Sequence, residues 1–96
     1  MNTIINAAKF TADEKLTKFI NEKVDKLDRM IDNVVKCEVT LKVDKPESHD
    51  NKIVEMRLCV PGSDLFLSKQ AGSFEQAVSD CVDAMKVQIE KYKNAK

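Results

Sequence analysis

Between Thr11 and Lys45 the apolar residues change their spacing once, from the helical period to the strand period. Leu16, Phe19, Ile20, Val24, Leu27 and Ile31 recur three and four apart, which predicts a helix with one apolar stripe. Val35, Cys37, Val39, Leu41 and Val43 then take alternate positions, with Lys36, Glu38, Thr40, Lys42 and Asp44 between them. Such a strand belongs to a sheet covered on one face and wet on the other. A one-striped helix and a one-faced sheet bury their apolar surface by packing on each other, so this stretch constrains the chain to a helix-on-sheet domain.

The rest of the sequence extends that unit. A short first strand is expected over residues 3–8. Thr11 and Glu14 have the T-x-x-E spacing of a capping box, which predicts a first helix from there to about Asp32. The alternating strand should run over 34–45, followed by a polar turn over 46–51. In residues 52–60 Val54, Met56, Leu58 and Val60 point one way, and Ile53, Glu55, Arg57 and Cys59 the other. A turn over 61–64 leads to a fourth strand over 65–71. Ser73 and Gln76 repeat the capping spacing ahead of a last helix. Its stripe is Phe74, Ala77, Val78, Cys81, Val82, Met85, Ile89 and Tyr92. The expected fold is α+β, in the order β-α-β-β-β-α. Two helices cover one face of a four-stranded mixed sheet, with a right-handed first crossover and antiparallel hairpins after it. The core should contain Leu16, Phe19, Leu27, Leu41, Met56, Val78, Val82 and Met85.

A chain of 96 residues suits a single domain spanning 1–96. Its 43% hydrophobic and 33% charged residues are those of a globular chain, not a disordered one. No apolar run approaches the ~20 residues that span a bilayer. The start MNTIINAAKF has neither the basic beginning nor the long apolar centre of a signal peptide, so a cytoplasmic location without membrane contact is expected. Sixteen basic and sixteen acidic residues cancel, so any nucleic-acid surface must come from their distribution. Cys37, Cys59 and Cys81 are odd in number and widely spaced. They make a poor disulfide framework and lack the paired spacing of a zinc site, so free thiols and no metal are expected.

The residues offer little for catalysis. His49, the only histidine, falls in the polar turn beside Asp50. Gly62 and Gly72 are the only glycines, which excludes a glycine-rich phosphate loop. No nucleophile sits beside a base, so no enzyme activity, cofactor or small-molecule substrate is expected. The basic residues remain. On the first helix Glu14–Lys18, Glu22–Lys26 and Asp25–Arg29 are spaced for i,i+4 ion pairs. On the last helix Glu75, Asp80 and Asp83 precede Lys86, Lys91, Lys93 and Lys96, an order that also complements a helix dipole. Composition leaves a solvated, salt-bridged surface and a phosphate-binding one both open.

Four stretches carry a resemblance: LTKFINEKVDKLDRMID (16–32), VTLKVDK (39–45), VPGSDL (60–65) and QIEKYK (88–93). In order, spacing and length the chain resembles the ribosome hibernation-promoting family, also called ribosome-associated inhibitors or sigma-factor modulation proteins, in its short type. The resemblance implies a β-α-β-β-β-α fold similar to double-stranded RNA-binding domains. It implies a stress-response factor that binds ribosomal RNA of the small ribosomal subunit and occludes the channel for messenger and transfer RNA. The RNA-binding positions it implies are Lys23, Lys26 and Arg29 on the first helix and Lys91 and Lys93 on the last, and Lys86 on the last helix is expected to contact RNA beside them. Ala7, Ala8, Ser79, Ala84, Val87 and Glu90 depart from the family's pattern, several of them at commonly basic positions, which thins the implied basic surface. The alternative is a regulatory protein-interaction domain of the same fold with little RNA affinity, acting through Glu38, Thr40, Lys42, Glu55 and Arg57 on the open sheet face.

Overall fold

The computed structural model describes residues 1–45, 47 and 49–95. The elements are β1 (Asn2–Ala7), α1 (Glu14–Asp28), β2 (Lys36–Val43), β3 (Lys52–Val60), β4 (Ser63–Ala71) and α2 (Phe74–Asn94). The strands form one sheet in the order β1-β2-β3-β4. β1 lies parallel to β2, and the β2–β3 and β3–β4 pairs are antiparallel. This is the expected α+β order.

One face of the sheet is sealed. Cys37, Val39 and Leu41 of β2, Val54, Met56 and Leu58 of β3, and Ile20, Val24, Leu27, Val78, Cys81, Met85 and Ile89 of the helices share one core and are all buried. Phe19, expected in that core, is only partly buried and packs against it. Each helix follows a strand that ends at the same edge of the molecule, so α1 and α2 start together and run side by side in one direction. Tyr92 fixes the far end of α2, its hydroxyl donating to the Pro61 carbonyl at 3.0 Å. Pro61 and Gly62 form the tight β3–β4 turn. Gly62 has φ +78°, the left-handed conformation that the second central residue of such a turn requires after proline.

Four local expectations change. Asp13, not Thr11, caps α1, because its Oδ1 accepts the Leu16 N–H at 2.8 Å and satisfies a first-turn donor. Only half of the second capping box forms. Ser73 Oγ accepts the Gln76 N–H at 3.1 Å, while the Gln76 amide turns forward to Asp80 at 2.9 Å. α1 stops at Asp28 instead of near Asp32, since the chain must reverse to enter β2. Asn33 takes φ +66° to do so, a conformation asparagine tolerates, and Ile31 is buried from the turn rather than from the helix. β2 is shorter than 34–45, and Val35 and Val43 are exposed. They lie beyond the stretch where β1 pairs, Lys36 to Leu41, and so beyond the helix-covered area. Pro46 and Ser48 of the polar turn and Lys96 of the basic C-terminus lie outside the described residues.

Candidate nucleic-acid interface

The two parallel helices leave a groove between them. Lys23 and Lys26 are three apart on α1, and Ser79, Asp83 and Lys86 are four and three apart on α2, so each set lies on one helix face. Together with Val82 they line a narrow cleft of about 80 Å³. Lys23 is half-buried, with its ammonium 5.5 Å from the centre of the Phe19 ring. Farther along, Arg29, Met30, Ile31, Asp32 and Asn33 meet Lys93 around a second, wider depression. There Lys93 Nζ donates to the Met30 carbonyl at 3.0 Å. Both helix C-termini lie at this end, where cations offset the negative ends of the helix dipoles.

Of the six expected RNA-binding residues, the structure gathers Lys23, Lys26 and Lys86 at one cleft, and Arg29 and Lys93 at the next. Lys91 does not join them. It lies on the other side of α2, against Leu65, Gln88 and Tyr92. Ser79 and Asp83 also line the cleft, although neither is among the implied positions. Their i,i+4,i+7 spacing with Lys86 is the one signal of it in the sequence.

Ion pairing separates the two faces of the molecule. The expected Glu14–Lys18, Glu22–Lys26 and Asp25–Arg29 pairs do not close, and among the described residues no salt bridge involves a lysine or arginine of either helix. The open sheet face differs. Lys36 pairs with Glu38 at 3.1 Å and Lys42 with Glu55 at 3.1 Å, while the Arg57 guanidinium stands 5.6 Å from the centre of the Phe66 ring. The Glu38 carboxylate, through its hydrogen bond and its charge, raises the Lys36 pKa. On the open sheet face Lys36 and Lys42 are thus committed to carboxylates, and among the described residues no lysine or arginine of either helix is.

Cys37 and Cys81 are free and buried, and burial pushes both thiols up to about 12. Cys81 donates to the Val54 carbonyl at 3.4 Å. Among the described residues no His, Cys, Asp or Glu side chains cluster as a metal site. His49 is exposed. Among the described residues no helix is long and apolar enough to cross a membrane.

Two parallel helices on one face of a β1-β2-β3-β4 mixed sheet define an α+β domain class with close structural counterparts. A ribosomal subunit interface protein from Coxiella burnetii superposes with a TM-score of 0.88 at 19% identity, covering 100% of both chains. The N-terminal domain of Thermus thermophilus Protein Y superposes with a TM-score of 0.79 at 18% identity, covering 96% of this chain and 99% of that one. At such identities the likeness is one of fold. No match is found among curated proteins. The family follows from sequence: the model for "Sigma 54 modulation protein / S30EA ribosomal protein" matches residues 3–96, and the chain belongs to that family.

Proposed function

We propose that this protein is a ribosome hibernation factor that binds the small ribosomal subunit through the groove between α1 and α2. In this reading it is a single cytoplasmic domain and acts by occupancy, without catalysis or cofactor. Lys23, Lys26 and Lys86 engage one stretch of ribosomal RNA backbone, and Arg29 and Lys93 the next. Bound there, it fills the channel that messenger and transfer RNA need. Lys91, on the far side of α2, makes at most a peripheral contact.

The observation that carries this reading is the asymmetry of ion pairing. Helix cations without carboxylate partners can exchange their counterions for phosphates, whereas the paired lysines of the sheet would first have to give up a protein partner. The chain has no tryptophan, and the Tyr92 hydroxyl is held by the Pro61 carbonyl. Phe10, Phe19 and Phe74 pack against the core, and exposed Phe66 lies on the open sheet face away from the groove, so base stacking in the groove has little to work with. Backbone charge and shape are the recognition left. Membership of a family that includes a ribosomal protein, and a structural neighbour described as a ribosomal subunit interface protein, support the same partner. Asp83 in the cleft limits affinity by repelling phosphate.

Competition on isolated small subunits tests the occlusion. Saturating protein should release pre-bound transfer RNA, and excess transfer RNA with messenger should displace the protein. Simultaneous occupancy by both would refute channel occlusion, while leaving ribosome binding as such intact.

A further inference from the structure

The free edge of β4 differs from the free edge of β1. β4 runs nine residues, from Ser63 to Ala71, with unbroken pairing to β3 and no proline. β1 has six residues and carries Asn2 and Asn6. Edge strands are normally shortened, bulged, charged or covered, because their outward N–H and C=O groups can pair with another chain.

The backbone parity of β4 follows from its neighbours. Asp44 N–H donates to the Asn51 carbonyl and Val35 N–H to the Cys59 carbonyl, so Asn51, Ile53, Glu55, Arg57 and Cys59 direct their backbone groups toward β2. The residues between them, Lys52 to Val60, face β4 and bond Ser63, Leu65, Leu67, Lys69 and Ala71. Asp64, Phe66, Ser68 and Gln70 therefore turn their N–H and C=O groups outward. One side chain already exploits this, since Gln88 Nε2 donates to the Phe66 carbonyl at 3.1 Å.

The flanks of this edge are partly apolar, with lysines on the α2 side and acids at the ends, where Asp64 lies in β4 and the Gln70 amide donates to Asp44. Phe66 and Val87 are exposed, at 49% and 55%. Ala84, Val87, Gln88 and Lys91 share the face of α2 beside the edge, by their spacing of three and four. Leu65, Gln88, Lys91 and Tyr92 line an open cavity there. Lys69 and Lys91 are exposed and take no salt bridge among the described residues. Asp80, one turn before Ala84, stands on this same face of α2, where its carboxylate accepts a hydrogen bond from the Gln76 amide. Asp64 lies on the opposite face of the strand.

We infer that the β4 edge is a docking site for an extended acidic segment of a protein partner, bound by strand addition alongside α2. The added strand pairs with the outward groups of Ser68 and Gln70 and with the Phe66 N–H, while the Phe66 carbonyl keeps its bond from Gln88. Its carboxylates lie on the α2 side and meet Lys69 and Lys91, and its apolar residues lie on the other side against Phe66. This surface is separate from the inter-helix groove, so a partner can engage it while the groove holds RNA.

The probe is a fluorescein-labelled ten-residue peptide alternating Glu and Val, titrated against the full chain with fluorescence anisotropy and amide chemical shifts as readouts. Saturable binding below roughly 1 mM is expected, with shifts concentrated at Phe66, Ser68 and Gln70. Ser68→Pro removes one outward N–H and no β3–β4 bond, and should weaken binding at least about tenfold. Lys91→Glu, at an exposed position that does not endanger folding, should weaken it by a similar factor, and Lys26→Glu should not. A peptide with Lys in place of Glu should fail to bind. Absence of saturation, shifts confined to the groove, or unchanged affinity in Lys91→Glu would overturn the proposal. Self-association of the chain through β4 without peptide would also overturn it, by assigning the edge to a second copy.

Discussion

The thiols of Cys37 and Cys81 sit in the core with pKa values pushed up to about 12 from an ordinary 9.0, and the cause is burial. A raised pKa means the folded chain holds these protons when the unfolded chain has lost them. The associated stability is complete below pH 9 and is lost as pH rises from there toward 12. Unfolding midpoints in urea should therefore fall on the alkaline side, and Cys81→Ala should flatten that fall while lowering stability at neutral pH. A midpoint independent of pH above 9 would contradict the assignment. The same burial predicts an order of labelling. Cys59, half-buried on the open sheet face, should react with iodoacetamide in the native protein, and Cys37 and Cys81 only on unfolding. The alternating pattern marked Cys37 as inward, and the helical stripe marked Cys81. The cleft was less legible. Ser79 and Asp83 look like ordinary surface positions until Lys23 and Lys26 are brought opposite them, and that juxtaposition depends on how two distant helices align.

At the scale of elements, α1 offers the sharpest comparison. Both Thr11 and Asp13 are good capping residues, and only the backbone decides between them. Because Asp13 Oδ1 holds the Leu16 N–H, Asp13→Ala should cost about 0.5–2 kcal/mol, whereas Thr11→Ala should cost little. Equal losses from the two, measured by chemical denaturation, would return the cap to Thr11. Leu27, fully buried in the last turn of α1, should cost ~2–5 kcal/mol on truncation to Ala, a large share of a small domain's stability. The helices and strands were readable because each has one apolar face at the right period. Their ends were not, because ends are set by where neighbours stop. Val43 alternates correctly yet is exposed because β1 ends at Ala7, opposite Leu41. Ile31 belongs to the helical stripe yet is buried from a turn, because Asn33 must redirect the chain.

At the scale of the molecule, a chain of zero formal net charge sorts its charges by face. The open sheet face keeps Lys36 and Lys42 paired with carboxylates, and the helices present Lys23, Lys26 and Lys86 without carboxylate partners along a shared groove. The mechanism needs that sorting, since neutral total charge gives no long-range attraction to RNA and leaves affinity to local phosphate contacts. Co-sedimentation with small ribosomal subunits across a salt series measures those contacts directly. Log affinity should fall linearly with log salt, and replacing Lys23, Lys26 and Lys86 together by glutamine should lower the slope by about one for each phosphate left unneutralised. Glutamine at Lys36 and Lys42 should leave both affinity and slope nearly unchanged. Binding that ignores salt, or that survives the triple replacement of Lys23, Lys26 and Lys86 with an unchanged slope, would contradict the groove as the RNA-binding surface.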